Sequence, residues 1–165
     1  APYNPDLRQP WARLMVETGL VKDEEAGLAQ WDKMEQEDPE KLREHFRFIL
    51  GPDNDLAATA GLFPGHDFPG RLRLHWVATS LNHQHKGLAR TLITALAREY
   101  DAMPGSYPLY LSTQSQSYGA IKLYSRLGFQ PYMGAYEGHT REQSEEDWKT
   151  VTDILRQTEE NSRTR

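Results

Sequence analysis

The sequence contains no cysteine. Disulfide bonds, a thiol nucleophile and a cysteine-ligated metal site are therefore excluded. No apolar run reaches the length of a membrane span and no signal-peptide pattern opens the chain, so we expect a cytoplasmic protein without a membrane segment. Any covalent chemistry must proceed without a cysteinyl intermediate.

Basic residues are outnumbered: 19 Lys and Arg stand against 24 Asp and Glu, for a formal net charge of −5. This balance disfavours sequence-independent nucleic-acid binding, which depends on neutralised phosphates. It suits a cationic substrate mildly better than an anionic one, because net charge steers encounters. At 165 residues with ordinary composition, we expect one soluble globular domain over residues 1–165.

Helical signals begin and end the chain. Asn4 and Pro5 resemble an N-cap and a first-turn proline, and Asp23 opens a second apolar-periodic segment. These signals predict N-terminal helices over residues 5–36, with a short helical turn restarting at Asp38-Pro39. A C-terminal helix is predicted over about 144–158, where Ser144 to Asp147 resemble a capping box. Its stripe of Trp148, Val151 and Leu155 predicts packing on the sheet, with a dimer contact as the second interpretation.

The middle of the chain alternates between strand-like and helix-like patterns. Phe46, Phe48 and Leu50 alternate with His45, Arg47 and Ile49, which is typical of a half-buried strand. Ser117 is placed to cap a helix that ends at Gly128. Strands are predicted over residues 45–50, 56–63, 72–79, 109–113 and 129–136, and helices over 88–100 and 117–127. The pattern is that of a mixed α/β protein.

The segment Gln84-His85-Lys86-Gly87-Leu88-Ala89 joins the third predicted strand to a helix. A polar, glycine-containing loop at such a junction aims free backbone N–H groups and the positive end of a helix dipole at one point. Lys86 and Arg90 oppose the helix dipole, which favours a bound anion; a solvated helix start is the alternative. The junction predicts a pyrophosphate site.

Two segments together resemble a known family. Gln84-x-x-Gly87-x-Ala89 is similar to the phosphate-binding signature of the GNAT superfamily of acetyl-CoA-dependent N-acetyltransferases, and residues 120–129 (AIKLYSRLGF) resemble that family's A-I-x-L-Y-x-x-x-G-F segment. The resemblance covers about residues 44–136. It implies an α+β fold with a central, mostly antiparallel sheet flanked by helices, with atypical ends where the family's first and last strands are not visible.

The resemblance also implies which residues hold acetyl-CoA, the expected co-substrate, with no metal. Val77, Ala78 and Thr79 would bind the pantetheine arm through their backbone, with the Val77 amide near the thioester oxygen. Ser117 stands where the family often has asparagine, and keeps only one of that amide's contacts. The pyrophosphate would be bound by Gln84, His85, Lys86, Gly87, Leu88, Ala89 and Arg90.

Two residues are candidates for proton transfer. The tyrosine that matches Tyr124 commonly protonates the departing thiolate in this family, and the alternative is a core aromatic residue. His75 is the candidate base, on the same side of its strand as Val77 and Thr79 by two-residue periodicity. The alternative for His75 is a histidine packed against Trp76.

Other histidines and aromatic residues have a structural and a functional interpretation. His83 and His85 flank Gln84, but a metal site would need a third ligand nearby, so we interpret both as loop residues facing phosphates. Trp11 and Trp31 either anchor amphipathic helices, which we favour, or line an acceptor pocket. The acceptor candidates in the following loop are His66, Asp67 and Phe68.

The expected activity is transfer of an acetyl group from acetyl-CoA to a primary amine of a small molecule by direct attack. A protein or peptide N-acetyltransferase is the alternative within the enzyme class. A non-catalytic CoA-binding or interaction module on the same fold is the alternative outside it. The expected partners are the amine and, as in many such enzymes, a second copy in a homodimer, with neither nucleic acid nor membrane.

Overall fold

A computed structural model describes residues 1–104, 108–114, 117–136 and 138–163, with the backbone alone for 161–163. Contacts divide the chain into two compact units. The larger unit comprises Ala1–Pro64 and Arg71–Leu111, and the smaller comprises Gly65–Gly70 and Ser112–Arg165. Each is described by itself, and the expectation of one domain stays a prediction. Among the described residues, no helix is both long and apolar enough to cross a bilayer.

The larger unit opens with three helices whose starts are set by side-chain caps. A 3₁₀ turn (Pro5–Leu7) leads into α1 (Arg8–Glu17), and α2 (Glu24–Glu37) and α3 (Pro39–His45) follow. The carboxylates of Asp23 and Asp38 accept hydrogen bonds from the N–H groups of Ala26 and Lys41, at 2.8 and 3.0 Å. The amide of Asn4 caps the 3₁₀ turn by accepting from the Asp6 N–H. The sequence predictions for these starts are confirmed, because capping is a local interaction.

Three strands form an antiparallel sheet in the order β1-β2-β3. They are β1 (Phe46–Leu50), β2 (Leu56–Pro64) and β3 (Leu72–Thr79). The prediction that His45 belongs to the first strand is wrong, because His45 ends α3. Its ring Nδ1 lies 2.5 Å from Oε1 of Glu99, a contact that draws the histidine into the structure.

The two faces of the sheet pack against different helices. Phe46 and Phe48 lie opposite Gly61 and Thr59 on β2, so all four share one face, and there the phenylalanines join the core cluster with α1 and α2. A Cβ on Gly61 would come within 2.4 Å of the Phe46 ring, so only glycine lets this ring lie against β2. Arg47 points to the other face, where its guanidinium bonds to Glu99 of α4 (Leu88–Asp101) at 2.7 Å.

Helix α4 buries one side, as its periodicity predicts. Its buried residues are Leu92, Ile93, Leu96 and Tyr100. On the opposite face of the sheet, α1 and α2 approach closely, because a Cβ on Gly27 would lie 2.9 Å from Ala12. Trp11 and Trp31 are fully buried there with ring centroids 5.6 Å apart. Helix packing on both faces fixes β3 and the loop that follows it.

The smaller unit contains α5 (Tyr118–Arg126) and α6 (Arg141–Arg163). The predicted start of the last helix at Ser144 is wrong. Thr140 and Gln143 form the capping box instead: the Thr140 N–H donates to the Gln143 side chain at 2.8 Å, and the Gln143 N–H donates to the Thr140 hydroxyl at 3.3 Å. Ser144 is buried and its hydroxyl donates to Gly134 and Thr140 carbonyls.

Two predicted strands are not found in the part of the chain that the structure describes. In the 109–113 segment, Tyr110 makes one isolated parallel bridge with Arg73, and in the 129–136 segment Tyr136 makes one isolated bridge with His139. Residues 115 and 116, beyond the first segment, lie outside the described residues. No strand precedes α1 among the described residues, which agrees with the atypical N-terminal end that the sequence indicates.

Candidate functional site

The loop after β3 contains two residues with positive φ. A 3₁₀ turn (Leu81–His83) is followed by an extended Gln84, and then His85 and Gly87 adopt φ values of 61° and 78°. A Cβ at Gly87 would meet nothing within 4 Å, so the need for glycine there is conformational, not steric crowding. Left-handed residues between others turn successive N–H groups toward a common point, as in anion-binding loops.

The N-terminus of α4 is open. Gly87 is the N-cap and has no side chain to offer, and the first turn of the helix contains no acidic residue. The Thr91 N–H donates to the Gly87 carbonyl at 3.0 Å, so the N–H groups of Leu88, Ala89 and Arg90 are the ones without an acceptor inside the helix. Free N–H groups and the positive end of the helix dipole together favour an anion.

The cationic side chains near this helix start lie in solvent. Lys86 and Arg90 are both exposed, and the Lys86 ammonium donates to the Asn82 carbonyl at 3.1 Å. Gln84 is exposed as well. The structure therefore groups the whole predicted pyrophosphate segment, from Gln84 to Arg90, at one exposed helix start.

Strand β3 carries a bulge just before this loop. Thr59 pairs with Ala78 and Gly61 pairs with His75, so the residues between them, Trp76 and Val77, face only Ala60. Trp76 has a φ of 53°, which is rare for a bulky residue. A bulge leaves one residue out of the ladder and bends the strand. Its backbone can therefore serve a ligand instead of β2.

The bulge changes the face on which His75 lies. Two-residue periodicity predicted His75 on the side of Thr79, and this prediction is wrong. Because Gly61 and Thr59 share a face of β2, their partners His75 and Ala78 share it too, whereas Thr79 pairs with Ala58 on the opposite face. The extra residue shifts the alternation by one.

The ring of His75 stacks on Trp76, with centroids 4.4 Å apart and planes 16° apart. The packing alternative is thereby confirmed, while a role as base stays a prediction. Trp76 in turn makes an edge contact with Trp11 at 5.4 Å, which holds the strained backbone in place. The favoured interpretation of Trp11 and Trp31 as helix anchors is also confirmed, because both are fully buried.

The outer edge of β3 is paired only at its beginning among the described residues. The Leu74 N–H donates to the Tyr110 carbonyl at 2.9 Å, next to the Arg73–Tyr110 bridge. Past the bulge, the described residues include no strand beside the 77–79 segment on that side. The Thr79 hydroxyl is buried and makes no hydrogen bond among these residues. This segment is the one expected to bind an extended ligand through its backbone.

His83 does not face the phosphate-binding positions, so this prediction is wrong. Its Nδ1 lies 2.8 Å from the Ser80 hydroxyl and 3.8 Å from an Asp55 carboxylate oxygen. His85, by contrast, is exposed in the loop. The sequence gave no signal for this difference, since Asp55 is far away in the chain and the contact depends on how the strands pair.

Tyr124 and Ser117 belong to the smaller unit. Tyr124 is half-buried on α5, its ring centroid lies 6.0 Å from that of Phe129, and burial raises the pKa of its phenol. A raised pKa keeps the phenol protonated and able to donate. Ser117 occupies the N-cap position, but its side chain makes no capping hydrogen bond, so the predicted side-chain cap is wrong.

The acceptor candidates His66, Asp67 and Phe68 also lie in the smaller unit. Phe68 packs against Tyr132 and Tyr136, with ring centroids 5.2 and 6.1 Å away. Burial, followed by the negative charges of Asp147 and Asp67, raises the pKa of Tyr136. The rings are too close together to leave a cavity between them, so they form a small core for these loops.

Comparison with known proteins identifies the family. The model of the acetyltransferase (GNAT) family matches residues 9–129. A search of curated proteins found no significant match. Several solved structures are similar, and two of them illustrate the range. A GNAT-family acetyltransferase from Staphylococcus aureus Mu50 is 15% identical, with 79% of this chain and 82% of that one covered and a TM-score of 0.59. A protein from Desulfovibrio desulfuricans, provisionally assigned to the same family, is 24% identical, with 78% and 82% covered and a TM-score of 0.58.

A third similar structure is the aminoglycoside N-acetyltransferase AAC(6')-Iy in complex with CoA. It is 18% identical, with 81% of this chain and 88% of that one covered and a TM-score of 0.61. At such identities the structural likeness shows the fold, whereas the family model spans most of the chain and shows the family. The chain belongs to the GNAT family of acetyltransferases, and its class of enzyme is acyltransferase.

Proposed function

We propose that this protein transfers the acetyl group of acetyl-CoA to a primary amine of a small molecule by direct attack. The observation that carries the proposal is the open N-terminus of α4, capped by a left-handed Gly87 and placed directly after the bulged strand β3. Free amides at a helix start suit a diphosphate. Solved structures of the family with CoA support acyl-CoA as the co-substrate.

The backbone supplies most of the coenzyme site in this proposal. The amides from Gly87 to Arg90 bind the diphosphate, and exposed Lys86 adds charge at the rim. The unpaired edge at 77–79 binds the pantetheine arm by main-chain hydrogen bonds, as an added strand would. Ser117, with no capping bond of its own, adds one hydroxyl contact. The fit depends on shape more than on side-chain charge.

Three groups carry the chemistry. His75 accepts a proton from the arriving ammonium, directly or through water, and leaves a neutral amine. The amine nitrogen forms a bond to the thioester carbonyl carbon while the Val77 N–H, at the bulge, donates to the carbonyl oxygen as charge develops. The carbon–sulfur bond then breaks, and Tyr124 donates its phenolic proton to the departing sulfur. The products are an N-acetylated amine and the free thiol of CoA.

The acceptor class is inferred from charge and from one relative. The aminoglycoside acetyltransferase AAC(6')-Iy has been solved with a bisubstrate analogue, CoA-S-monomethyl-acetylneamine; that chain is 18% identical, with a TM-score of 0.59. Aminoglycosides carry several ammonium groups. A net charge of −5 favours the approach of such cations to this protein as well. We therefore propose a small, cationic primary amine.

The test is release of the CoA thiol, followed with a thiol reagent, over a panel of amines that includes aminoglycosides, polyamines and arylalkylamines. Each amine is matched by its own N-acetylated form, which has no nucleophile. We expect turnover with at least one small amine and none with its acetylated control. CoA binding by calorimetry without turnover on any small amine or peptide would contradict the enzyme and indicate a binding module. Turnover on peptides alone would contradict the acceptor class.

A further inference from the structure

His83 is a buried side chain in an exposed loop. Its side chain is only 14% exposed, whereas its neighbours Leu81, Asn82 and Gln84 are all exposed. A loop residue that is turned inward costs ordering entropy and so needs contacts that compensate for it. Those contacts explain what His83 does.

Three features of the larger unit surround the ring. The Ser80 hydroxyl lies 2.8 Å from Nδ1, and the His83 N–H donates to the Ser80 carbonyl at 2.9 Å, which closes the turn. An Asp55 carboxylate oxygen lies 3.8 Å from Nδ1. A Cβ on Gly51 would come within 3.0 Å of Nε2, so the β1–β2 turn packs directly on the ring.

Ser80 connects this turn to the sheet. It is 7% exposed, and its N–H donates to the Ala57 carbonyl of β2 at 2.9 Å. The path therefore runs from β2 through Ser80 to His83, the last residue before Gln84. Rigid support ends at His83, and the segment that presents its amides to the diphosphate begins immediately after it.

We infer that His83 is a positioning residue for coenzyme binding: its contact with Ser80, supported by the turn from Gly51 to Asp55, fixes the loop from Gln84 to Gly87 before the ligand arrives. The inference rests on the proposed function, because it concerns the same pyrophosphate site. A loop held in its bound shape avoids the ordering cost of binding. His83 itself does not touch the coenzyme.

The test compares His83→Ala, His83→Asn and Asn82→Ala. Asparagine places a polar atom about where Nδ1 lies and so can keep the bond to Ser80, whereas alanine removes it. Asn82→Ala is the matched control in the same loop, because that side chain is exposed. Isothermal titration with acetyl-CoA gives the affinity, initial rates give kcat and KM, and amide hydrogen exchange of ligand-free protein reports order in residues 84–87.

We expect His83→Ala to weaken acetyl-CoA binding and raise its KM about tenfold, the size of one lost hydrogen bond. The kcat at saturating acetyl-CoA and the KM for the amine stay within about twofold, because a positioning residue acts on binding alone. Exchange at 84–87 becomes faster, and His83→Asn restores most of the affinity. Asn82→Ala matches the wild type.

Two results would overturn the inference in different ways. If wild-type protein binds acetyl-CoA and His83→Ala binds it equally well, the inference is wrong and the proposed function stands. The same holds if His83→Asn is as weak as His83→Ala while loop exchange is unchanged. If wild-type protein does not bind acetyl-CoA at all, the proposed function fails and the inference fails with it.

Discussion

The backbone N–H of Leu81 donates a 2.7 Å hydrogen bond to Oε1 of Glu17, across 64 residues of sequence. Glu17 ends α1, and Leu81 begins the turn that precedes the phosphate-binding loop. We predict that Glu17→Ala speeds hydrogen exchange of the Leu81 amide about tenfold, since that N–H then meets water. Because Leu81 is 62% exposed, global stability falls by only about 1 kcal/mol.

Glu17→Gln separates geometry from charge in the same experiment. Its amide oxygen can still accept from Leu81, but without a full negative charge, and a neutral acceptor makes a weaker bond. The expected exchange rate lies between those of the wild type and the alanine variant. An unchanged rate in Glu17→Ala would show that the bond does not hold the turn.

Gly87 is predicted to be required for its backbone conformation. Its φ of 78° costs a residue with a Cβ about 1–2 kcal/mol, although a Cβ there would meet nothing within 4 Å. Gly87→Ala should therefore lower the free energy of unfolding by about that amount. Acetyl-CoA binding should weaken about tenfold or more, because the N–H groups at the helix start no longer converge.

Gly119 provides the matched control for Gly87. It lies inside α5, and a Cβ there also meets nothing within 4 Å, but it is not among the glycines with positive φ. Gly119→Ala should stabilise the protein by about 0.5–1 kcal/mol, as expected in a helix. Chemical denaturation measures both. Equal stability of the two variants would contradict the assignment of a strained position at Gly87.

Tyr124→Phe tests the proposed acid. Removing the phenolic hydroxyl keeps the ring beside Phe129, so we expect an intact fold and an unchanged affinity for acetyl-CoA. The kcat should fall about 10- to 100-fold, at the low end of general acid catalysis. Tyr118→Phe, on the same helix, is the control and should turn over normally.

The pH profile of the wild type adds a second readout for Tyr124. Burial raises the pKa of its phenol above the ordinary value of about 10, so the acid stays protonated well into the alkaline range. We expect kcat to hold until that pKa is reached, and the Tyr124→Phe variant to lack the decline. Equal turnover of the variant and the wild type would remove Tyr124 from the mechanism.

Tyr3 predicts a loss of stability in alkali. Burial, and then its 2.7 Å hydrogen bond to Glu35, raises its pKa to about 12. An unfolded phenol loses its proton near pH 10, so between about pH 10 and 12 the folded state holds more protons and stability falls as pH rises. The wild type should be more stable than Tyr3→Phe below pH 10, and this advantage should shrink toward pH 12. A constant difference across that range would contradict the assignment.

The sequence predicts elements well where the signals are local. Asn4, Asp23 and Asp38 each cap a helix within three residues, and the apolar side of α4 follows its periodicity, so all four starts are found as predicted. Gly87 is also a local signal, because a glycine before an apolar-periodic segment indicates an unusual helix start. The phosphate-binding loop could therefore be located from sequence alone.

Other features depend on distant partners. The bulge at Trp76 needs β2 opposite it and Trp11 beside it, and no pattern within β3 reveals either. The inward turn of His83 depends on Asp55 and Ser80 in the same way. Two-residue periodicity fails for His75 because it assumes a regular ladder. A candidate site can thus be located from sequence, while its side-chain directions require the structure.

The last helix shows how two local signals compete. Ser144 to Asp147 and Thr140 to Gln143 both satisfy the pattern of a capping box. The earlier one forms, and Ser144 is buried with its hydroxyl on the Gly134 carbonyl. Burial of that hydroxyl decides between the two, and burial is not visible in a short motif.

The central claim is that the diphosphate of acetyl-CoA binds to the free amides at the start of α4. The most direct measurement is a crystal structure of the protein with CoA. The account predicts diphosphate oxygens within hydrogen-bonding distance, about 2.7–3.2 Å, of the backbone nitrogens between Gly87 and Arg90. A diphosphate bound elsewhere on the chain, with those amides still facing solvent, would contradict it.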